Sequence, residues 1–325
     1  MTPGNPFPTP VPPERVKRVS KVGDRIFLVL LILATLGIAG LIGALVGVLL
    51  YGSRLAITTL GFSYLTGRVW DPEFNVFGIL PAVMGTMVTS ALALLIAVPL
   101  GLGAAIFLTQ HAPQWMRAPV GQLIELLAAI PSIIYGFWGL IVLVPIERTV
   151  VEPALIKYLG WTGLFNATPI GIDVLTASLV LSVMAIPTIT AVSRDSIAAV
   201  PRTQKEAAIA IGATDWEVTR RAVLPYARSG IVAGAVLGLG RALGETMAVL
   251  LVIGNHPVIF TSLVSQGSTV AALIANDFFE AYTPLEVPAL LEAGLILLVI
   301  ALVVNIGARL ILAQFQSAGR GAAAE

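Results

Sequence analysis

Residues 202–225 read RTQKEAAIAIGATDWEVTRRAVLP, a polar, glycine-punctuated stretch in a chain that is otherwise mostly apolar. Thr203 with Glu206, and Thr214 with Glu217, have capping-box spacing. In such a box the threonine accepts from the first-turn backbone, and the glutamate bonds back to the threonine amide. Gly212 lies between the two boxes, where a helix C-cap takes positive φ. Leu224 precedes Pro225, and a residue before proline is disfavoured in the helical region. The pattern predicts two short helices, 204–211 and 215–223, turning sharply at Gly212. Ala207, Ala208 and Ala210 make the first helix small and apolar, a surface suited to a partner. A helix pair lying on a bilayer, with Arg220 and Arg221 toward the headgroups, is the other reading.

The flanking sequence shows what this segment connects. The 325 residues are 57% hydrophobic and 11% charged, with mean hydropathy +0.93. Soluble domains carry about 25% charged residues, so most of this chain's surface must face lipid. No cysteine is present, which excludes disulfides and thiolate chemistry. The two histidines, His111 and His256, lie far apart in sequence and read as loop residues. They argue against a metal centre.

A helix crosses the hydrocarbon with about 20 apolar residues. Six such runs are found, at 26–51, 79–108, 122–145, 173–192, 226–253 and 288–312. Pro99, Pro131 and Pro187 fall inside the second, third and fourth, as kinks that neighbouring helices can satisfy; Pro187 could end the fourth early. The run at 26–51 is longer than the apolar core of a signal peptide, about 7–15 residues, so it reads as an anchor. Residues 1–25 precede it as a proline-rich, then basic tail, expected to be disordered. Residues 52–78 form an outer loop, 79–313 a core of five spans, and 314–325 a second tail.

Lysine and arginine set the orientation. With the N-terminus inside, 14 of the 19 basic residues lie on cytoplasmic segments and 4 on outer loops, Arg241 being the remaining one. Both termini are therefore expected to be cytoplasmic, as is the connection 193–225. The outer loops 51–78 and 146–172 carry Trp70 and Trp161, which suit the membrane interface. The outer loop 255–287 holds Asp277, Glu280 and Glu286 and no basic residue.

Within the fifth span, residues 237–255 read LGLGRALGETMAVLLVIGN. Arg241 and Glu245 are four apart, on one face of a helix, where each could partly neutralise the other. Gly230, Gly234 and Gly238 continue that stripe and allow a neighbouring helix to approach closely. An ion pair locking two helices is one reading. A guanidinium placed for a passing oxyanion is the other, since its fork matches a tetrahedral anion.

The segment 206–225 resembles the EAA motif of ATP-binding-cassette (ABC) importer permeases. Glu206, Ala207, Ala208, Gly212, Leu224 and Pro225 fall in register with it, and Ala222 stands where an isoleucine is usual. YLTGRVWDPEFNVFGILPAVMGT (64–86), AAIPSIIYGFWGL (128–140) and RALGETMAVLLVIGN (241–255) resemble the phosphate-specific permeases of that family. The resemblance implies an all-α integral membrane protein, six transmembrane helices in the type I, MetI-like permease fold, in a bacterial inner membrane. It implies that the six motif residues couple to a cytoplasmic ATPase. It places Arg241, Glu245 and Thr246 in the substrate pathway. It further implies a sister permease forming the other half of the path, two ATPase subunits that bind ATP, and an external phosphate-binding protein. This chain would hold no cofactor and no metal, bind no nucleic acid, and not itself be an enzyme.

Other classes find less support. No GxxxxGK[ST], HExxH or GxSxG occurs, which argues against a nucleotide site of that kind and against the common membrane hydrolases. A proton-coupled carrier using Glu245, Glu125 or Glu292 is the rival mechanism. Glu125 and Glu292 read more simply as interfacial or interhelical hydrogen-bonding groups. Residue chemistry alone does not separate phosphate from sulfate or molybdate.

Overall fold

The computed structural model describes residues 21–321, and side chains from 22 to 310. The proline-rich stretch and the last four residues lie outside that range. The chain divides into two units, residues 1–48 and 49–325. In the first unit the described residues are the leading part of helix α1, Lys21–Leu60, an apolar rod with Phe27, Leu30, Leu36 and Leu41 exposed. All 40 residues of α1 are helical, about 60 Å at 1.5 Å per residue and twice the hydrocarbon thickness. The expected span 26–51 is thus the middle of a longer helix, and the segment expected to be an outer loop from residue 52 starts helical.

In the second unit, a short helix α2 (Ser63–Thr66) leads to a two-stranded hairpin. Strand β1 (Trp70–Asp71) pairs antiparallel with β2 (Val76–Phe77), Trp70 opposite Phe77. Helix α3 (Leu80–Ile106) carries Pro99 internally and ends in a π-helical turn, Phe107–His111. Helix α4 (Gln114–Ala129) follows.

The third span departs from expectation. Ile130 and Pro131 are extended (ψ 131° and 136°) and break the chain there. The physical reason is the clash of the proline ring with a helical residue before it. The span then runs Ser132–Thr162 rather than 122–145. It comprises α5 (Ser132–Trp138), the π-turn Gly139–Leu143, α6 (Val144–Ile146), the π-turn Glu147–Val151, α7 (Glu152–Leu159) and a closing 3₁₀ turn. Much of the expected loop 146–172 is therefore helical.

Helix α8 (Val174–Ala198) is capped by Asp173, whose carboxylate accepts from the Thr176 amide at 2.7 Å. Pro187 does not end it. It is the most buried of the six apolar helices and packs against α3, α11 and α4. The connection after it holds α9 (Arg202–Ala210) and α10 (Asp215–Val218). A π-turn, Thr219–Val223, joins α10 to α11 (Leu224–Leu243) without a break. The sequence predicts a stop before Pro225. Instead, the wider π-turn precedes the proline, which lacks an N–H and crowds the carbonyl four residues back. Helices α12 (Met247–Leu250), α13 (Val270–Asp277) and α14 (Glu286–Gly321) complete the chain.

Among the described residues, six helices are long and apolar enough to cross a membrane. In lipid, helix association depends on close packing and polar contacts. The glycines of α11 serve this. A Cβ at Gly234 would meet the Ile189 carbonyl and Ser193, and one at Gly238 would meet the Ile189 side chain, both on α8. The glycine stripe expected from the sequence is therefore the α11–α8 contact.

Candidate functional site

Helix α11 stops at Leu243, and Gly244 (φ −95°, ψ 2°) opens a short break before α12. The fifth span is thus not one helix over 226–253, and Arg241 and Glu245 do not share a helix face. Glu245 turns to the new helix start. Its Oε1 accepts from the amides of Thr246 (3.1 Å) and Ala248 (3.3 Å). A carboxylate suits this place because the first amides of a helix lack internal partners. Thr246 donates its hydroxyl to the Gly244 carbonyl at 3.3 Å.

Arg241 is half-buried, and among the described residues no hydrogen bond or ion pair is made to it. The expected neutralisation by Glu245 is absent. Arg241 lies about 20 Å along the helix axis from Arg228, the next basic residue toward α9. Tyr135 of α5 is within electrostatic range and donates its hydroxyl to the Leu127 carbonyl at 2.8 Å. Gly136 and Ala248 meet backbone-close beside it, so α5 and α12 pack at the break. A guanidinium without a partner at membrane depth is costly, about 2.5–3.5 kcal/mol on insertion scales.

The EAA-type segment forms a second candidate surface. Gly212 sits at φ +87°. Its amide bonds the Ile209 carbonyl (2.9 Å), and the Ala213 amide bonds the Ala208 carbonyl (3.1 Å). That pair of bonds is a Schellman cap, which favours glycine at this position. The box at Thr214 and Glu217 forms as expected. The box at Thr203 and Glu206 does not. Pro201 (φ −57°) starts α9 at Arg202, which places Thr203 inside the first turn without a side-chain cap bond.

Glu206, Ala207 and Gly212 are exposed and Ala208 half-buried; Leu224 is half-buried and Pro225 exposed. Ile209, Ile211 and Trp216 are also exposed, at 55%, 87% and 56%. Sequence reasoning passed over these three, although a large apolar residue beside each cap was a visible sign. On its inner side the segment packs Ala208 and Ala213 against Leu102, Ala105, Ile106, Ile197 and Val200.

Of the glutamates weighed as relays, Glu125 forms an ion pair with Arg194 at 2.9 Å, joining α4 to α8. Glu292 is buried on α14 with Oε2 unpartnered. His111 and His256 are exposed. Sequence reading missed Glu147 and Glu152, because it placed them in a loop; Asp173, before an apolar run and three residues from Thr176, bore a readable N-cap signal.

A permease-like bundle, with a capped segment between two spans and a lone arginine at a helix break, defines a class of protein. The family model described as "Binding-protein-dependent transport system inner membrane component" matches residues 97–316, and the chain belongs to that family. It is 48% identical over 281 residues to "Phosphate transport system permease protein PstC" of Mesorhizobium japonicum, covering 85% of this chain and 86% of that one. The namesake proteins of Pasteurella multocida (48%; 85% and 87%) and Xylella fastidiosa (47%; 86% and 89%) are similarly related. Among solved structures, the inward-facing MetNI methionine ABC transporter matches with TM-score 0.51 at 19% identity, covering 73% of this chain and 94% of that chain. That likeness concerns the fold: a MetI-like, multi-pass, helical membrane component.

Proposed function

We propose that the chain is the phosphate-translocating permease subunit of an ATP-driven importer. The observation that carries this is the unpartnered Arg241 at the α11–α12 break, in a chain nearly half identical to proteins named as phosphate permeases. Arg241 offers the passing anion a transient bidentate partner. Glu245, committed to the α12 amides, and Thr246 shape the break. Glu245 also adds negative charge nearby, which keeps the anion from binding too tightly.

The chain supplies half of the path, and a PstA-like permease supplies the other half. Two PstB-like ATPase subunits bind and hydrolyse ATP and dock on Glu206, Ala207, Ala208, Gly212, Leu224 and Pro225, with Ile209, Ile211 and Trp216 widening the apolar contact. A PstS-like protein delivers phosphate from the opposite side. The chain itself carries no cofactor, and both termini face the cytoplasm, in keeping with its positive charge bias.

The test is radiolabelled phosphate uptake by the assembled complex, with Arg241→Gln measured beside a pull-down of the ATPase. Loss of uptake in an intact complex is expected. Normal uptake would sink the pathway role, and a complex that falls apart would favour a structural role for Arg241.

A further inference from the structure

Three carboxyl groups meet, buried, at the end of α8 away from the EAA-type segment. Glu147, Glu152 and Asp173 are 2%, 0% and 0% exposed. Glu147 comes from the second π-turn of the third span, Glu152 from the first residue of α7, and Asp173 from the cap of α8. The Glu152 and Asp173 carboxyls are in side-chain contact, and Glu147 is within electrostatic range of both.

Donors are scarce there. Asp173 receives the Thr176 amide on Oδ1. Both oxygens of Glu152, Oδ2 of Asp173 and Oε2 of Glu147 have no hydrogen-bond partner among the described residues. The Ile170 amide lies near Glu152 without reaching hydrogen-bond geometry.

Among the described residues no buried cation compensates. Arg148 is exposed, with its Cβ against Gly171. Lys157 is exposed and sits over the Tyr158 ring. The loop 254–269 packs on this end through Val174 N–H to Ser265 carbonyl (3.2 Å) and Leu175 N–H to Leu263 carbonyl (2.9 Å). Its one titratable residue is His256, which is exposed. The first turns of α8, the loop 160–172 and helix α3 hold no charged residue. No group of three acidic, histidine or cysteine residues with metal-holding geometry occurs among the described residues.

We propose that Glu152 and Asp173 form a proton-binding site. Two ionised carboxylates in contact, buried and with no cation beside them among the described residues, repel strongly, whereas one shared proton turns the same contact into a short charge-assisted hydrogen bond. The proton is taken from water, held between the two groups, and returned to water when the contact opens. No other bond is made or broken. Held in place, it fastens α7 to the first turn of α8, and so to the loop that continues from α12. The proposal is independent of which anion the permease carries.

The folded site holds a proton that the separated carboxyls would have lost. Stability is therefore greatest at low pH and falls as pH rises above the ordinary carboxylate range, until the folded site gives up its proton. Glu152→Gln supplies a permanent N–H donor to Asp173 and should flatten this dependence. Asp173→Asn keeps a cap-forming side chain and should do likewise.

The experiment uses the assembled transporter in lipid nanodiscs. Infrared difference spectra across pH should show a protonated-carboxyl band in the wild type that is lost in Glu152→Gln and in Asp173→Asn and retained in Glu147→Gln and Glu292→Gln, which control for the other buried carboxyls with an unpartnered oxygen. Thermal unfolding should fall with rising pH in the wild type and much less in the two site variants. Three results would overturn the proposal. One is the absence of such a band in the wild type at neutral pH, a measurement that needs no variant to fold. Another is a band that survives both site substitutions. The last is a band abolished at fixed pH by sodium, potassium, calcium or magnesium, which would make the ligand a cation.

Discussion

Lys205 Nζ donates to Gln110 Oε1 at 3.3 Å, tying α9 to the end of the second span. Lys205 is half-buried, and burial, followed by the charges of Arg117 and Arg202, holds its pKa below the usual lysine value. The amide nitrogen of Gln110 is buried without a partner among the described residues, where this lysine is the one polar contact fixing that side chain. With the apolar cluster around Ala208 and Ala213, it joins α9 to α3 and α8, a contact route along which movement of α9 would be passed on.

Lys205→Met should therefore keep the packing and lose the bond, at a stability cost of about 1 kcal/mol. The complex should still bind its ATPase, but phosphate moved per ATP hydrolysed should drop. Uptake and hydrolysis measured together in proteoliposomes check this, and an unchanged ratio counts against the route.

Gly212→Val acts on the turn itself. A side chain at φ +87° costs about 1–2 kcal/mol, and a β-branched one is the least tolerant. The exposed site offers no steric clash, so the effect should come from backbone strain alone. The chain should insert normally and bind the ATPase poorly, read by pull-down from solubilised membranes. Full recovery of the ATPase and normal transport would show that the turn is not the coupling element.

Arg241→Lys separates charge from shape. If the guanidinium fork matters, lysine should recover only part of the uptake lost in Arg241→Gln. A residual deficit of roughly tenfold would correspond to about 1.4 kcal/mol. Wild-type uptake by the lysine form would reduce the role of Arg241 to that of a positive charge.

Trp70 Nε1 donates to Asp277 Oδ2 at 2.9 Å, joining the hairpin to α13. Trp70→Phe should lower the melting temperature of the complex through loss of about 1–2 kcal/mol. Burial, chiefly, and the nearby Glu286 and Glu280 push the Asp277 carboxyl up. Its contribution is thus fully present below the ordinary carboxylate pKa and is lost as pH rises through the folded value. Asp277→Asn should remove that part of the pH dependence, as seen by unfolding at several pH values.

Much of this protein is written in short windows of sequence. Composition alone requires lipid as solvent, because 11% charged residues cannot cover a soluble surface. The apolar runs locate six helices, since length and hydropathy are local quantities. The Gly212 turn and the box at Thr214 and Glu217 are equally local: their partners lie within a few residues, so spacing suffices.

What the sequence left undecided depends on side chains far apart or on competing local rules. Pro201 took over the start of α9 and displaced the Thr203 box. Pro131 ended a helix rather than kinking it, moving the start of the third span ten residues on. Gly244 separated Arg241 from Glu245, which spacing of four had placed together, because a helix face exists only while the helix continues. The pairing of Glu125 with Arg194, 69 residues away, and the burial of Glu147 and Glu152 against Asp173 were settled by packing alone. Such contacts are chosen by how the spans assemble, and no local window contains both partners.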